Sequence, residues 1–307
     1  MKTAIYTSRS GLRHDTGEGH PECADRLRVL LDMFETDQGL SAIPLIAAET
    51  VDRDLILNVH KPAYVNKLED SIPDDGYVSF GMDTIMSPNS LEVAYDAAGA
   101  CVQAVDDILS GKVERAFCAV RPPGHHAEPD QAMGFCFFNN VFIAAKYAQE
   151  QGFQRIMILD FDVHHGNGSD AMVQHEEGMY FISSQEMPLF PGTGNPKDDI
   201  DQAVLNITFS AGDGSQRFRD VYERDVFPEI LRYSPDLLLI SAGFDAHCDD
   251  PLANMNLEDQ DYSWLGQRIA ELSKRLGCPS ISTLEGGYNL EALKRSVRAY
   301  LTAYFEI

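Results

Sequence analysis

The sequence predicts an α/β protein in which a parallel sheet carries helices on both faces. Three observations support this. Short, continuously apolar runs recur along the chain, as strands buried on both sides require. Amphipathic stretches of helical length separate them. No linker, internal repeat or low-complexity segment breaks the alternation, so residues 1–307 read as one domain.

In chain order the strand candidates are TAIYT (3–7), RAFCAV (115–120), RIMILDF (155–161), MYFIS (179–183), AVLNITF (203–209), DLLLISA (236–242) and SISTLEG (280–286). Helical patterns lie between or after them at 90–111, 139–152, 216–233, 258–277 and 290–305. The first of these opens at Ser90, a residue type that caps helix N-termini, and ends before Gly111, suited to the position just past a helix.

Composition narrows the function. Hydrophobic residues make up 44% and charged residues 23% of 307, an ordinary balance for a chain with a sizeable core. No run approaches the ~18 uninterrupted apolar residues of a membrane span, and the N-terminus MKTAIYTSRSGLRHD lacks a signal-peptide pattern. The expectation is a cytoplasmic protein with no membrane partner. Its six cysteines are scattered without a CxxC pair, which favours reduced thiols over a disulfide framework or a thiolate zinc site. With 24 basic against 48 acidic residues, the net charge of −24 argues against nucleic-acid binding. Two readings of that charge stand: a solvated acidic surface, or a field that draws cationic substrates.

The chemistry sits just after the strands. FCAV runs into RPPGHHAE, MILDF into DVHHGNG, MYFIS into SQEMPLFPGTG, LLLISAG into FDAHCDDP, and SISTL into EGGYNL. Ligands of open α/β sheets bind outside the carboxyl ends of the strands. In DFDVHHGNG a strand-like alternation puts Asp162 and His164 on one face. A carboxylate and an imidazole converging in this way suit a divalent metal such as Zn²⁺, with Asp245 of another strand end as the third ligand. Coordination would offset the cost of burying the carboxylates. Asp160 is either a carboxylate that orients a histidine or a strand-end residue bonding nearby backbone N–H groups.

The adjacent His125 and His126 suit the base and acid of a hydrolysis. If Asp160 holds His125 and Asn167 holds His126, the charged partner favours the protonated ring more than the amide does. Tyr288, after two glycines, can aim a phenol at an oxyanion. Phe135 and Phe190 lie in Gly/Pro-rich loops at the same rim and are candidates for the walls of a channel.

The ordered set RPPGHHAE, GFCFFNN, LDFDVHHGNG, FPGTG, SAGFDAH and EGGYNL resembles the histone deacetylase / acetylpolyamine amidohydrolase family of zinc-dependent deacetylases, over nearly the whole chain. The resemblance implies a single-domain arginase/deacetylase-like fold around an eight-stranded parallel sheet. It implies one catalytic Zn²⁺ on Asp162, His164 and Asp245, with His125, His126, Tyr288, Asp160 and Asn167 in catalysis. It also implies a structural K⁺ held through side-chain or backbone oxygens of Asp160, Asp162, His164, Ser183 and Ser184. Phe135 and Phe190 are then the walls of an acyl-lysine channel and Gly134 its floor. The implied reaction is hydrolysis of the N-acetyl (acyl) amide of lysine side chains in proteins or peptides, releasing acetate and the free amine.

Asn167 looks like the class II branch, where class I enzymes have Asp. Leu252 stands where a polyamine-selective branch carries an acid, which leans the reading towards acetyl-lysine over acetylated polyamines. Glu18, Glu22, Asp74, Asp75 and Asp83 are candidate acids near the mouth that would hold a cation. An arginase-like hydrolase with two manganese ions is a more distant alternative, disfavoured by Gly166 where a further carboxylate would be needed. A non-catalytic acetyl-lysine binder is another, and a homo-oligomer is compatible with the sequence.

Overall fold

Apolar runs that are buried on both sides must alternate their side chains between two cores. The computed structural model of the protein, which describes residues 2–196 and 203–307, shows this directly. Strands β1 (Thr3–Thr7), β2 (Leu45–Ala47), β3 (Val78–Phe80), β4 (Thr84–Met86) and β5 (Arg115–Ala119) come first. They are followed by β6 (Ile156–Asp160), β7 (Met179–Glu186), β8 (Val204–Phe209), β9 (Leu237–Ala242) and β10 (Ser280–Leu284). Eight of them form one sheet in the order β2-β1-β5-β10-β9-β6-β7-β8, with every pairing parallel. The remaining two, β3 and β4, make a small antiparallel hairpin.

The helices are α1 (Ala24–Thr36), α2 (Arg53–Leu57), α3 (Pro62–Asp70), α4 (Ser90–Leu109), α5 (Asn140–Glu150), α6 (Asn167–Val173), α7 (Ser215–Val221), α8 (Phe227–Tyr233), α9 (Asp259–Leu276) and α10 (Leu290–Phe305). On β9, Leu238 and Ile240 enter the core shared with α1, α8, α9 and α10, while Leu237 and Leu239 enter the opposite core with α4 and α5. Each such fully buried side chain contributes about 1.5–3 kcal/mol, so the sheet is held from both faces.

Several sequence expectations change. The edge strand β2 is only three residues long with an exposed, half-buried, exposed pattern, too short and too wet to show a strand signal. Helix α1 lies outside the helical stretches the sequence predicts, although Leu27, Leu30, Leu31 and Phe34 line its buried face. Ser90 is the first helical residue of α4, not its cap; its hydroxyl closes the preceding turn by accepting the Ser87 N–H at 2.7 Å. Gly111 does follow the helix with a positive φ of 68°. The single helix expected over 216–233 is α7 and α8 joined by a wider π turn at Tyr222–Val226. Pro228 lacks the N–H that would bond the preceding turn, and its ring crowds that turn, so the helix widens there.

Candidate active site

The loops after β5, β6, β9 and β10, the four central strands, meet above the carboxyl edge of the sheet. β6 ends at Asp160, so Asp162 and His164 do not share a strand face as the sequence spacing suggested. Two successive turns bring them round instead. Asp160 Oδ1 accepts the Asp162 N–H at 3.1 Å, and Asp162 Oδ1 accepts the His164 N–H at 2.9 Å, the local bonding to which Asp is suited. Asp160 therefore takes both roles left open for it, because its second oxygen accepts from His125 Nδ1 at 2.9 Å.

His164 Nδ1 lies 3.1 Å from Asp162 Oδ1 and 3.1 Å from Asp245 Oδ2. The three ligand atoms sit within 4.8 Å of one another and all three residues are buried. Backbone groups from other loops fix the carboxylates: Gly286 N–H donates to Asp162 Oδ2 at 2.7 Å and Val163 N–H to Asp245 Oδ1 at 3.0 Å. Two buried carboxylates and one imidazole form a donor set of the kind that takes a divalent cation. The electrostatics agree. Burial and the charge of Asp162 push the Asp245 carboxyl up to about 7. Burial opposes a charge on His164, but the two carboxylates outweigh it and hold its proton affinity well above the usual value. The cluster draws positive charge to its centre.

The histidine pair is split. Burial disfavours a charged His125, yet Asp160, Asp162 and Glu285 outweigh it and raise its pKa to about 10. Burial, then repulsion from His125 and His164, drives His126 well below its ordinary value. His126 Nδ1 lies 2.8 Å from Asn167 Oδ1. That oxygen only accepts, so Nδ1 carries the proton, and Nε2 has no protein partner among the described residues.

A cleft of about 230 Å³ opens over these groups, lined by Asp83, His126, Gly134, Phe135, His164, Leu189, Phe190, Leu252 and Tyr288. Phe190 packs edge-on to His126 with ring centroids 5.2 Å apart, and Phe135 edge-on to Tyr288 at 5.8 Å. Phe135 holds a positive φ of 70°, with its N–H donating to Thr84 Oγ1 at 3.1 Å, an uncommon backbone state for a bulky residue. Ser183 lies beside Asp160 in the β6–β7 register, its hydroxyl buried without a hydrogen-bond partner among the described residues. The Ser184 hydroxyl shares a 2.7 Å hydrogen bond with Tyr222.

Matched against known proteins, residues 20–304 fit the histone deacetylase domain. The chain belongs to the histone deacetylase family. Histone deacetylase 14 of Arabidopsis thaliana, named chloroplastic, is 36% identical over 95% of the chain and 74% of its own length. The histone deacetylase-like amidohydrolase of Pseudomonas aeruginosa is 34% identical over 88% of the chain and 72% of its own length. The solved HDA15 HD domain superposes with a TM-score of 0.93 at 32% identity, covering 99% of this chain and 88% of that one. Like other members of the histone deacetylase family, this chain is a hydrolase of the deacetylase and amidohydrolase class.

Against this family frame, the structure adds residues that sequence reasoning missed. Asp250 accepts the N–H groups of Tyr288 at 2.7 Å and Leu252 at 3.0 Å. Glu285 accepts those of Gly124 at 2.7 Å and His125 at 3.2 Å, fastening the histidine loop to β10. Arg26 lies 5.0 Å over the Tyr288 ring and donates to the Gly287 carbonyl. Leu189 joins the apolar wall. Glu285 stands inside EGGYNL, Asp250 inside FDAHCDDP and Leu189 inside SQEMPLFPGTG, but nothing in those runs marks their roles.

Of the acids expected at the mouth, Asp83 lines the cleft. Glu18, Asp74 and Asp75 are exposed outside its lining. Glu22 is wholly buried and gripped by Arg121 and Arg26. Burial alone would raise its pKa, but Arg121 and His14 outweigh this and hold the carboxyl well below its usual range. It braces the fold and cannot hold a cation at the mouth. His247, past Asp245, bonds Asp259 at 3.1 Å rather than entering the cleft.

Proposed function

We propose that the protein is a zinc-dependent deacetylase that hydrolyses the N-acetyl amide of lysine side chains, with residues 1–307 acting as one catalytic domain. The observation that carries this is that His126 and Tyr288 line one narrow cleft together with His164, which belongs to the buried Asp162–His164–Asp245 cluster. Those three residues would hold the Zn²⁺, which when bound polarises the amide carbonyl and lowers the pKa of water.

Everything else is done by the chain itself. Phe135, Phe190 and Leu252 flank the alkyl stem of the acyl-amine, and Gly134 leaves room beside His126. His126 Nε2 takes a proton from the attacking water. The Tyr288 O–H donates to the oxygen that becomes negative; burial holds its pKa well above the ordinary phenol value, so it keeps its proton at neutral pH. His125, charged and fixed by Asp160, holds positive charge next to His126, with ring centroids 4.0 Å apart. The histidine pair then returns a proton to the departing nitrogen, and the C–N bond breaks to give acetate and the free amine.

A structural K⁺ held by oxygens of Asp160, Asp162, His164, Ser183 and Ser184 fits the unpartnered Ser183 hydroxyl and would balance the buried carboxylates. Its place of action is read as the cytoplasm; the chloroplast named for the Arabidopsis relative belongs to that protein.

One observation favours acetylated polyamines as a second substrate class: the Asp83 carboxylate on the cleft wall is able to meet a distant ammonium. The test is a comparison of kcat/KM for an acetyl-lysine peptide, acetylputrescine and acetylspermidine on zinc-reconstituted protein. A preference of more than about tenfold for the peptide supports the lysine reading, and the reverse preference replaces it. Hydrolysis of none of the three overturns the proposal.

A further inference from the structure

Asn167, which holds the His126 ring, is an amide, and an amide has a right and a wrong way round. With Oδ1 towards His126, the ring proton sits on Nδ1 and the Nε2 lone pair faces the cleft. With the amide reversed, its N–H group would donate to Nδ1, the ring proton would move to Nε2, and the group facing the cleft would be a donor instead of an acceptor.

The surroundings of the other end of the amide decide between the two. Asn167 Nδ2 donates to Glu128 Oε1 at 2.8 Å and lies 3.4 Å from both the His126 carbonyl oxygen and Met133 Sδ. All three are acceptors. Reversal would set the amide oxygen against each of them, most severely against the carboxyl group of Glu128. Glu128 is half-buried on the wall of a separate polar cavity of about 400 Å³, also lined by His165, Asp170 and Asn206. It is not among the residues lining the substrate cleft.

We infer that Glu128 is a positioning residue that locks the Asn167 amide and, through it, the Nδ1–H tautomer of His126. This rests on the reading of His126 as the proton acceptor. Glu128 touches neither substrate nor the metal cluster; it acts two hydrogen bonds away.

The test uses the zinc-loaded full chain. Glu128→Met keeps the length of the side chain and replaces the charged acceptor with a weak thioether one; Glu128→Gln keeps a strong acceptor. The expected result is a fall in kcat of about tenfold or more for Glu128→Met with little change in KM, since a wrong tautomer disables a base without touching binding. Glu128→Gln recovers most of that loss. In an Asn167→Asp background both side-chain oxygens accept, so no wrong orientation exists and Glu128→Met costs nothing further. ¹⁵N NMR of the His126 ring shows Nδ1–H alone in the wild-type protein and an added Nε2–H form in Glu128→Met.

Equal losses in both backgrounds with an unchanged tautomer would overturn the inference, as would full activity of Glu128→Met. If the methionine variant does not fold, Glu128→Ala takes its place in the same cycle. If the wild-type protein turns over no substrate, the reading of His126 as a base falls, while the NMR measurement still decides the role of Glu128.

Discussion

The backbone N–H of Tyr288 donates to the Asp250 carboxylate at 2.7 Å, which ties the loop after β10 to the loop after β9. The loop that carries the phenol is therefore fixed relative to the loop that carries Asp245, five residues before Asp250. The guanidinium of Arg26 over the ring completes the hold. A donor placed this rigidly loses little order when charge develops beside it.

Tyr288→Phe keeps the ring and its packing on Phe135 and Arg26 but removes the donor. Its kcat should fall by about 10²-fold or more, the scale of losing one oxyanion donor, with KM within about threefold. Steady-state kinetics on an acetyl-lysine peptide checks this, and unchanged turnover removes Tyr288 from the mechanism.

Gly134 has a φ of +55°, and a Cβ there would lie 2.3 Å from His126 Cδ2. Gly134→Ala must both strain the backbone, at about 1–2 kcal/mol, and displace the histidine. A loss of kcat larger than the loss of thermal stability would explain is expected. A variant with native kcat would show that the His126 position is not critical.

Gly286 leaves the floor of the cleft open. A Cβ there would stand 1.9 Å from Asp245 Oδ2 and 2.6 Å from Asp162 Oδ2. Gly286→Ala should hold zinc at least about tenfold more weakly in competition with a chromophoric chelator, because ligand geometry sets affinity. Chelation of the wild-type protein should abolish turnover and lower Tm, and added zinc should restore both; in Asp245→Ala, Tm should no longer respond to zinc.

His60 gives a pH prediction away from the metal cluster. Its Nδ1 donates to the Glu128 carbonyl at 2.9 Å, and its Nε2 accepts the Asn139 N–H at 3.0 Å. Protonation would place two donors face to face, and burial lowers its pKa to about 4. The unfolded chain, with its histidine near 6.5, binds the proton first as the pH falls. The stability from this residue is whole above about pH 6.5, declines on acidification and is lost below about 4, about 3 kcal/mol in all. Urea unfolding at pH 7.5 and 5.0 should show a smaller pH effect in His60→Gln than in wild type. Equal pH effects in the two proteins would reject the assignment.

How far the sequence could be read varies from residue to residue. The strand β9, a continuous LLLISA run, was readable because burial on both faces leaves an unbroken apolar stretch. The edge strand β2 was not, because three half-wet residues carry no such pattern. Asp162, His164 and Asp245 were legible as residue types after strands, yet the strand face assumed for the first two was wrong. The turn that unites them depends on carboxylate-to-backbone bonds that spacing does not display. Glu22 looked like a mouth acid beside a histidine, and only the arginines folded around it show that it is interior. Glu128 closes the RPPGHHAE run and Asp250 lies within FDAHCDDP, yet neither role shows there, since each acts on a backbone or amide group that any acceptor of the right reach could hold.

By itself, then, the sequence determined the alternation of elements, the chemical types delivered to the strand ends and the family they resemble, because these follow from local period and local composition. Which side chains meet was decided by tertiary structure alone. The order β5-β10-β9-β6 brings residues as far apart as Asp162 and Gly286 within 2.7 Å. The proton placement on His125 and His126 follows from the burial and charges that this convergence creates.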